Sequence, residues 1–197
     1  IWTGGEFFFP RQEIKGVEHC IHNSSISDWS ELEGVEHAII GGFESGIDAA
    51  VHLARQGKSV HLLSRGEPWH QNSPDPSRAL SPFTIDRLKD VLLNAPGTIR
   101  FYKNADIDEV TKTGDSYILV DEEGEPFEVS TPPILATGFL GGMGPVSSWF
   151  EDKNGRIAFT EEADESPSLP NLFYSGPLLQ HRQSLFCFIY KFRARFG

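Results

Sequence analysis

The chain of 197 residues is long enough for one well-packed domain with extensions, or for one domain and part of a second. Its composition, 39% hydrophobic and 23% charged, is that of a folded globular protein and excludes a disordered or fibrous chain. The formal net charge of -11 opposes attraction to phosphates, so we expect no nucleic-acid partner. No apolar run approaches the about 20 residues that span a bilayer, and the first residues lack the plan of a signal peptide. These features predict a cytoplasmic protein.

The first clear pattern along the chain is that of a βαβ unit. A largely apolar run over 35–40 predicts a buried strand that ends in the turn Gly41-Gly42. A second strand, parallel to the first, is predicted over 59–63. Between the two strands the apolar spacing predicts a helix of about three turns that is capped by Gly57. The apolar face of this helix comprises Ile47, Ala50, Val51 and Ala54.

A long loop and a second helix follow this unit. The stretch 67–82 is rich in Pro, Ser and Asp and has no hydrophobic period, which indicates a loop near a functional site. Ser81 and Pro82 suit the N-cap and the first position of a helix, and Pro96-Gly97 ends it. The apolar face that we predict for this second helix consists of Phe83, Ile85, Leu88 and Leu92.

Short β-like runs fill most of the remaining chain. The runs over 116–120 and 127–130 predict antiparallel strands, and the run over 134–136 predicts a strand that rejoins the parallel sheet. We therefore predict an α/β fold: a Rossmann-like parallel sheet with helices on both faces and an antiparallel β-meander crossover. Further predicted segments are a strand over 99–102, a surface connection over 151–170, a strand over 172–174 and an amphipathic helix over 185–196.

The strongest chemical signal is the turn Gly41-Gly42-Phe43-Glu44-Ser45-Gly46 between a strand and a helix, which is the context of a dinucleotide-binding fingerprint. The first glycine permits a tight turn, the last permits close helix packing, and amides at the helix start can bind a pyrophosphate. Phe43 replaces the middle glycine, so the pyrophosphate is expected to sit differently or to bind more weakly. The alternative is a glycine turn that only connects two elements.

The end of the second strand carries Ser64 and Arg65, where NAD-selective proteins place an acidic residue against the ribose 2′-hydroxyl. A guanidinium and a hydroxyl suit a 2′-phosphate, which favours NADPH over NADH. The alternative is an exposed loop arginine. Glu67 is close enough in sequence to neutralise Arg65.

Other reactive residues give no pattern of a site. Cys20 and Cys187 form no C-x-x-C pair, so we expect both to be structural and no redox-active dithiol to be present. His70 and His181 have no metal-ligand spacing with any Cys, Asp or Glu, and we assign no metal site. The spacing of Ser, His and Asp residues builds no triad, and the catalytic residues stay unassigned.

Several segments together resemble the flavin-dependent monooxygenase-like branch of the pyridine nucleotide-dependent flavoprotein oxidoreductases. The resemblance covers nearly the whole chain, and the glycine turn with Asp48-Ala49-Ala50 is its most specific part. The segments that carry it are Trp2-Thr3-Gly4-Gly5, His22-Asn23-Ser24-Ser25, Gly41 to Ala50, Leu135-Ala136-Thr137-Gly138-Phe139 and Phe186 to Arg193.

In proteins of this kind the NADP domain is inserted into an FAD domain. The resemblance implies that 1–28 are an edge of the FAD domain or a crossover linker, that 29–170 form the NAD(P)-binding domain, and that 171–197 return towards the FAD domain. It also implies that Thr137 and Gly138 contribute to the cofactor site, and that NADPH delivers hydride to a flavin. The FAD fingerprint itself is not found in these 197 residues, so we expect them alone to hold no tightly bound FAD and to be inactive.

Two other function classes stay open. The first is a non-catalytic module that senses redox state through NAD(P) binding. The second is a Rossmann domain for another adenine-bearing ligand, because glycine turns of this type recur across functions. The expected partners are a pyridine nucleotide and the flavin-bearing domain of the same full-length protein, and a homo-oligomer is left open.

Overall fold

The computed structural model divides into two compact units, one combining Ile1–Arg11 with Phe139–Gly197 and one formed by Gln12–Gly138. The second unit starts before the predicted boundary at residue 29, because Ile21–His22 is a strand of its central sheet. It also ends earlier than the predicted residue 170. The cofactor that each part serves stays a prediction. The described residues are 2–3, 9–10, 13–73, 78–140, 143–160, 162–176, 178–181 and 184–185.

The strands and helices are numbered along the chain. The strands are β1 (Trp2–Thr3), β2 (Phe9–Pro10), β3 (Ile21–His22), β4 (Glu36–Ile40), β5 (Ser59–Ser64), β6 (Thr98–Lys103), β7 (Ile107–Thr113), β8 (Ser116–Asp121), β9 (Pro126–Val129), β10 (Ile134–Leu135), β11 (Phe139–Leu140), β12 (Tyr174–Ser175), β13 (Gln180–His181) and β14 (Ser184–Leu185). Among the described residues the α-helices are α1 (Glu44–Arg55) and α2 (Pro82–Asn94).

The Gln12–Gly138 unit is built on a five-stranded parallel sheet with the spatial order β3-β10-β4-β5-β6. The predicted βαβ unit is confirmed as β4-α1-β5. Gly57 ends α1 as predicted: its amide donates to the Ala54 carbonyl, and the next amide, that of Lys58, donates to the Leu53 carbonyl. The predicted return of the chain into the sheet at β10 is also confirmed.

The two faces of this sheet are covered by different layers. Residues that alternate along β4 show the division, because Ile39 packs with the helices and Ala38 packs with the antiparallel sheet. The predicted α/β fold with a meander is confirmed, with one difference: α1 and α2 pack against each other on one face. The meander β7-β8-β9 covers the other face, where we expected a helix, since Val110, Leu119 and Val129 form an apolar surface that seals the sheet.

The first strand of the meander, β7, is absent from the sequence-based prediction. Its buried residues Ile107 and Val110 are three positions apart, which is not the alternation expected of a strand. The pairing with β8 shifts between Ile107 and Glu109, and this bulge returns both side chains to the same face.

Helix α2 begins as predicted, with the Ser81 hydroxyl accepting a hydrogen bond from the Thr84 amide and Pro82 at the first position. The predicted apolar face is wrong in part. Phe83 is 69% exposed and Leu92 is 52% exposed, whereas the buried positions are Thr84, Leu88 and Val91. The side chain of Thr84 faces inward because its hydroxyl donates to the Glu44 carboxylate of α1 at 2.5 Å.

In the other unit, β1 pairs with β12, β2 pairs with β11, and β13 pairs with β14. A 3-10 helix, Gly144–Phe150, supplies Phe150 to a small aromatic core with Phe159 and Tyr174. The predicted surface connection contains a buried Asp164, whose carbonyl accepts from the Tyr174 amide at 2.9 Å.

Apart from Leu185, the predicted helix over 185–196 lies outside the described residues. Within the described ranges, no helix is both long and apolar enough to cross a membrane.

Buried His37 is expected to make the stability of the chain depend on pH. The side chain is buried on β4, its Nδ1 lies 3.4 Å from the Thr131 hydroxyl, and its Nε2 has no hydrogen-bond partner among the described residues. Burial, and then the positive charge of Lys58, lowers the pKa of His37 from 6.5. As the pH falls below about 6.5, the unfolded chain therefore binds this proton more readily than the native chain does, and we expect stability to fall.

We expect His37→Gln to flatten this dependence by up to about 1.4 kcal/mol per pH unit below pH 6.5. Urea unfolding at pH 7.5, 6.5 and 5.5 measures it. His70→Gln is the matched control, because the His70 side chain is exposed. If the stability of the His37→Gln variant and that of the unmutated chain changed with pH in parallel, His37 would not be the cause of the pH dependence.

Candidate functional site

The turn between β4 and α1 lies so close to neighbouring backbone atoms that two of its positions admit only glycine. Gly41 has a φ of +110°, and a Cβ on it would lie 2.4 Å from the Ala136 carbonyl oxygen. A Cβ on Gly46 would lie 1.8 Å from the Gly41 carbonyl oxygen. Both obstacles are backbone atoms, which cannot rotate away. The first and last glycines thus have the geometric roles that the sequence predicts.

The same turn presents unpaired donors at the start of α1. Among the described residues, no acceptor is found for the amides of residues 42–46, and the first amide bonded is that of Ile47, to the Phe43 carbonyl. The Glu44 carboxylate does not occupy this position, because it accepts hydrogen bonds from the Ser81 amide and the Thr84 hydroxyl. The helix start therefore offers backbone N–H groups and the positive end of a helix dipole to an anion.

Phe43, which stands in the place of the middle glycine, contacts the core. The side chain is half-buried and packs against the hydrophobic cluster formed by α1, α2 and one face of the sheet. This contact gives the ring packing partners in the core, and we expect it to leave the amides of the turn free for a ligand.

Ser64 and Arg65 stand beside the turn, at the end of β5. The Ser64 hydroxyl oxygen lies 2.6 Å from the position that a Cβ on Gly42 would take, so the second glycine makes room for it. The Arg65 side chain is 78% exposed, and its Nε lies 3.9 Å from a carboxylate oxygen of Asp106. An exposed pair at this distance contributes little energy, so the guanidinium can turn to another anion.

The expected neutralisation of Arg65 by Glu67 is not what the structure shows. The Glu67 carboxylate lies 3.7 Å from the Lys103 Nζ and 3.3 Å from the His70 Nδ1. Lys103 is on β6, the next strand of the sheet, so sequence proximity could not identify it as the partner.

The turn after β10 lies on the other side of the glycine turn. His22, at the end of β3, is buried, and its Nε2 donates to the Gly138 carbonyl at 3.2 Å. Its Nδ1 accepts from the Ser24 amide at 3.2 Å. A carbonyl only accepts and an amide only donates, so these two contacts define the Nε2-protonated neutral form. The bond from His22 thus fixes the position of Gly138, the residue after Thr137.

These parts converge at one edge of the sheet. The glycine turn, Ser64-Arg65 and Thr137-Gly138 follow the carboxyl ends of β4, β5 and β10, which are neighbours in the sheet. From β4 the chain proceeds outward to β5 and β6 and then returns to β10 on the opposite side, so the strand order reverses between β4 and β10. Ligands of open α/β sheets bind in the crevice at such a reversal.

Trp69 is a residue of this site that sequence reasoning missed. Its indole Cζ3 lies 2.8 Å from the position of a Cβ on Gly42, and its ring lies 4.7 Å from the ring of Phe101. The only signal in the sequence was an aromatic residue in the long loop that follows β5.

The remaining reactive groups lie apart from this edge or give no site. Burial raises the pKa of the Cys20 thiol to about 11, which agrees with the predicted structural role, and Cys187 lies outside the described residues. Within the described part of the chain, no group of three or more His, Cys, Asp or Glu residues is arranged to hold a metal ion.

The fold and this edge define an α/β protein of the Rossmann type with a nucleotide-binding turn. Residues 1–176 match the model of the pyridine nucleotide-disulphide oxidoreductases, and the chain belongs to this family. The predicted resemblance to flavoprotein oxidoreductases is thereby confirmed. Members of this family are oxidoreductases that use a pyridine nucleotide and a flavin.

Solved structures share the fold at low identity. Bacillithiol disulfide reductase of Staphylococcus aureus has 20% identity and a TM-score of 0.66, with 98% of this chain and 58% of that chain covered. The enzyme of the same name from Bacillus cereus has 22% identity and a TM-score of 0.60, with coverages of 89% and 52%. L-Lysine 6-monooxygenase of Pseudomonas syringae has 14% identity and a TM-score of 0.59, with coverages of 91% and 56%. The chain spans about half the length of these structures.

Proposed function

We propose that the Gln12–Gly138 unit binds NADPH and is the nucleotide-binding domain of an FAD-dependent oxidoreductase of the monooxygenase-like branch. The observation that carries this proposal is the glycine turn with its unpaired amides, next to Ser64 and Arg65 at the end of the neighbouring strand. A glycine turn that only connects two elements would also leave amides unpaired, as every helix start does. What favours nucleotide binding over this alternative is the position of the turn and of Ser64-Arg65 at the reversal of strand order between β4 and β10.

The residues of the turn fit the two charged parts of the nucleotide. The amides of residues 42–46 would donate to the pyrophosphate, with Gly41 and Gly46 keeping the backbone close. The Arg65 guanidinium and the Ser64 hydroxyl would hold the 2′-phosphate, because a planar fork of donors matches a phosphate. His22 would keep the Thr137-Gly138 turn in place beside Gly41 through its bond to the Gly138 carbonyl.

The chemistry that the bound cofactors supply is hydride transfer from the nicotinamide to a flavin in the full-length protein. This chain contributes the binding and orientation of the nucleotide. The flavin-bearing domain of the same protein is the proposed partner.

Calorimetric titration of the 197-residue chain with NADPH and with NADH tests the proposal. We expect NADPH to bind at least about tenfold more tightly, because one charge-assisted contact to the 2′-phosphate contributes about that much. Equal affinity for both nucleotides would refute the NADPH assignment, and the absence of binding to either would refute the proposed function.

The replacement Phe43→Gly tests whether the missing middle glycine matters for binding. Because the ring packs into the hydrophobic cluster, we expect NADPH affinity to change by less than about tenfold, or roughly 1.4 kcal/mol. Stability should fall, since the packing of the ring is lost and glycine loosens the turn. Phe83→Ala, at an exposed phenylalanine of α2, is the control and should leave affinity unchanged. A hundredfold gain in affinity would mean that Phe43 obstructs the site.

A further inference from the structure

The loop after β5 brings an indole ring onto the glycine turn. Trp69 lies in the 3-10 turn Pro68–His70, and its Cζ3 is 2.8 Å from the position that a Cβ on Gly42 would occupy. The ring therefore packs directly against the backbone of the second residue of the turn. Neither the family match nor the proposed role of the amides accounts for this contact.

The indole is held in this place by the neighbouring strand β6. Its ring lies 4.7 Å from the ring of Phe101, tilted by 49°. Two positions further along β6, Lys103 pairs with the Glu67 carboxylate, which also lies 3.3 Å from the His70 Nδ1. The ring contact with Phe101 thus positions Trp69, and the contacts of Glu67 lie beside it, while the side chain of Trp69 stays partly exposed.

The location of the ring determines which part of a ligand can meet it. In the proposed function the pyrophosphate binds at residues 42–46 and the 2′-phosphate binds at Arg65. The adenosine carries the 2′-phosphate and joins the pyrophosphate, so it must lie between these two points. Gly42 lies where the proposed pyrophosphate site and the proposed 2′-phosphate site adjoin. Both the Ser64 hydroxyl and the Trp69 ring occupy the space that a side chain at residue 42 would need.

We propose that the adenosine half of the nucleotide packs against the ring of Trp69. We also propose that residue 42 is glycine because a side chain at this position would collide with that ring. The proposal rests on the proposed function and extends it to a residue that selects the ligand. The ligand class is an adenine nucleotide with a 2′-phosphate, whose base has a flat face that packs well on an aromatic ring.

The test uses adenosine 2′,5′-bisphosphate, which carries the adenosine and its 2′-phosphate but no nicotinamide. Trp69→Leu keeps an apolar side chain on Gly42 and removes the ring, and we expect its affinity for this probe and for NADPH to fall about tenfold. Trp69→Phe should recover most of the loss. Trp29→Leu is the control, because Trp29 packs on the same hydrophobic cluster but stacks on His52 of α1.

Fluorescence gives an independent readout, since the probe does not absorb where tryptophan emits. Saturation with the probe should quench the unmutated chain and Trp29→Leu, and it should leave Trp69→Phe unquenched. If Trp69→Leu does not fold, the comparison of quenching in Trp29→Leu with quenching in Trp69→Phe still tests whether the probe binds next to Trp69.

Three results would overturn the inference. A folded Trp69→Leu variant with undiminished affinity for the probe and for NADPH would show that Trp69 is not part of the site. The proposed NADPH binding would be unaffected by this result. A Trp69→Phe variant as weak as Trp69→Leu would assign the effect to packing on Gly42 and not to the base. Failure of the unmutated chain to bind either NADPH or the probe would instead remove the proposed function, and this inference with it.

Discussion

Replacement of Gly46 by alanine is expected to destabilise the chain by about 3 kcal/mol and to abolish measurable nucleotide binding. The added methyl group would lie 1.8 Å from the Gly41 carbonyl oxygen, well inside contact distance. Gly41 cannot retreat, because its amide donates to the Leu63 carbonyl at 2.8 Å and its own α-carbon faces the Ala136 carbonyl. The start of α1 would have to move away from β4, which breaks both the packing of the helix and the geometry of the turn.

Urea unfolding of Gly46→Ala and calorimetric titration with NADPH measure the two effects. Gly66→Ala is the matched control, since a Cβ at that position meets no atom within 4 Å. We expect the control to stay within about 0.5 kcal/mol of the unmutated chain. A Gly46→Ala variant as stable as this control would show that the turn is more open than its geometry indicates.

Replacement of Arg65 by alanine is expected to remove most of the preference for NADPH over NADH. The loss of one charge-assisted contact should lower NADPH affinity by about 1.5–3 kcal/mol, or roughly ten- to a hundredfold. NADH affinity should hardly change, because NADH has no 2′-phosphate for the guanidinium to bind. Stability should also hardly change, since the side chain is 78% exposed and its contact with Asp106 is 3.9 Å long.

The control for Arg65→Ala is Arg55→Ala. Arg55 is also exposed and paired with a carboxylate, that of Asp90, but it is in the last turn of α1, at the opposite end from the glycine turn. Its removal should leave both nucleotide affinities unchanged. If Arg65→Ala retains the full preference for NADPH, the 2′-phosphate is bound elsewhere, and the assignment of Ser64 and Arg65 is wrong.

The parts of the site that sequence predicted best are those whose geometry depends on neighbours in the chain. A glycine turn between a strand and a helix, a serine N-cap at Ser81 and a glycine cap at Gly57 are each decided within a few residues. Ser64-Arg65 could be placed as well, because they stand at the end of the strand next to the glycine turn. Thr137-Gly138 were assigned through the family resemblance, and the structure places them after the neighbouring strand β10. Their roles toward a nucleotide stay predictions.

The sequence by itself thus predicted the βαβ unit, the family and three of the segments that meet at the edge of the sheet, namely the glycine turn, Ser64-Arg65 and Thr137-Gly138. Tertiary structure alone decided which layer covers each face, because both a helix and a meander can bury the same apolar strands. It also decided the inward face of α2, through the Glu44 carboxylate, and the partner of Glu67, through a lysine on another strand. Trp69 belongs to this second group, since its place on Gly42 results from packing against Phe101, which is distant in sequence.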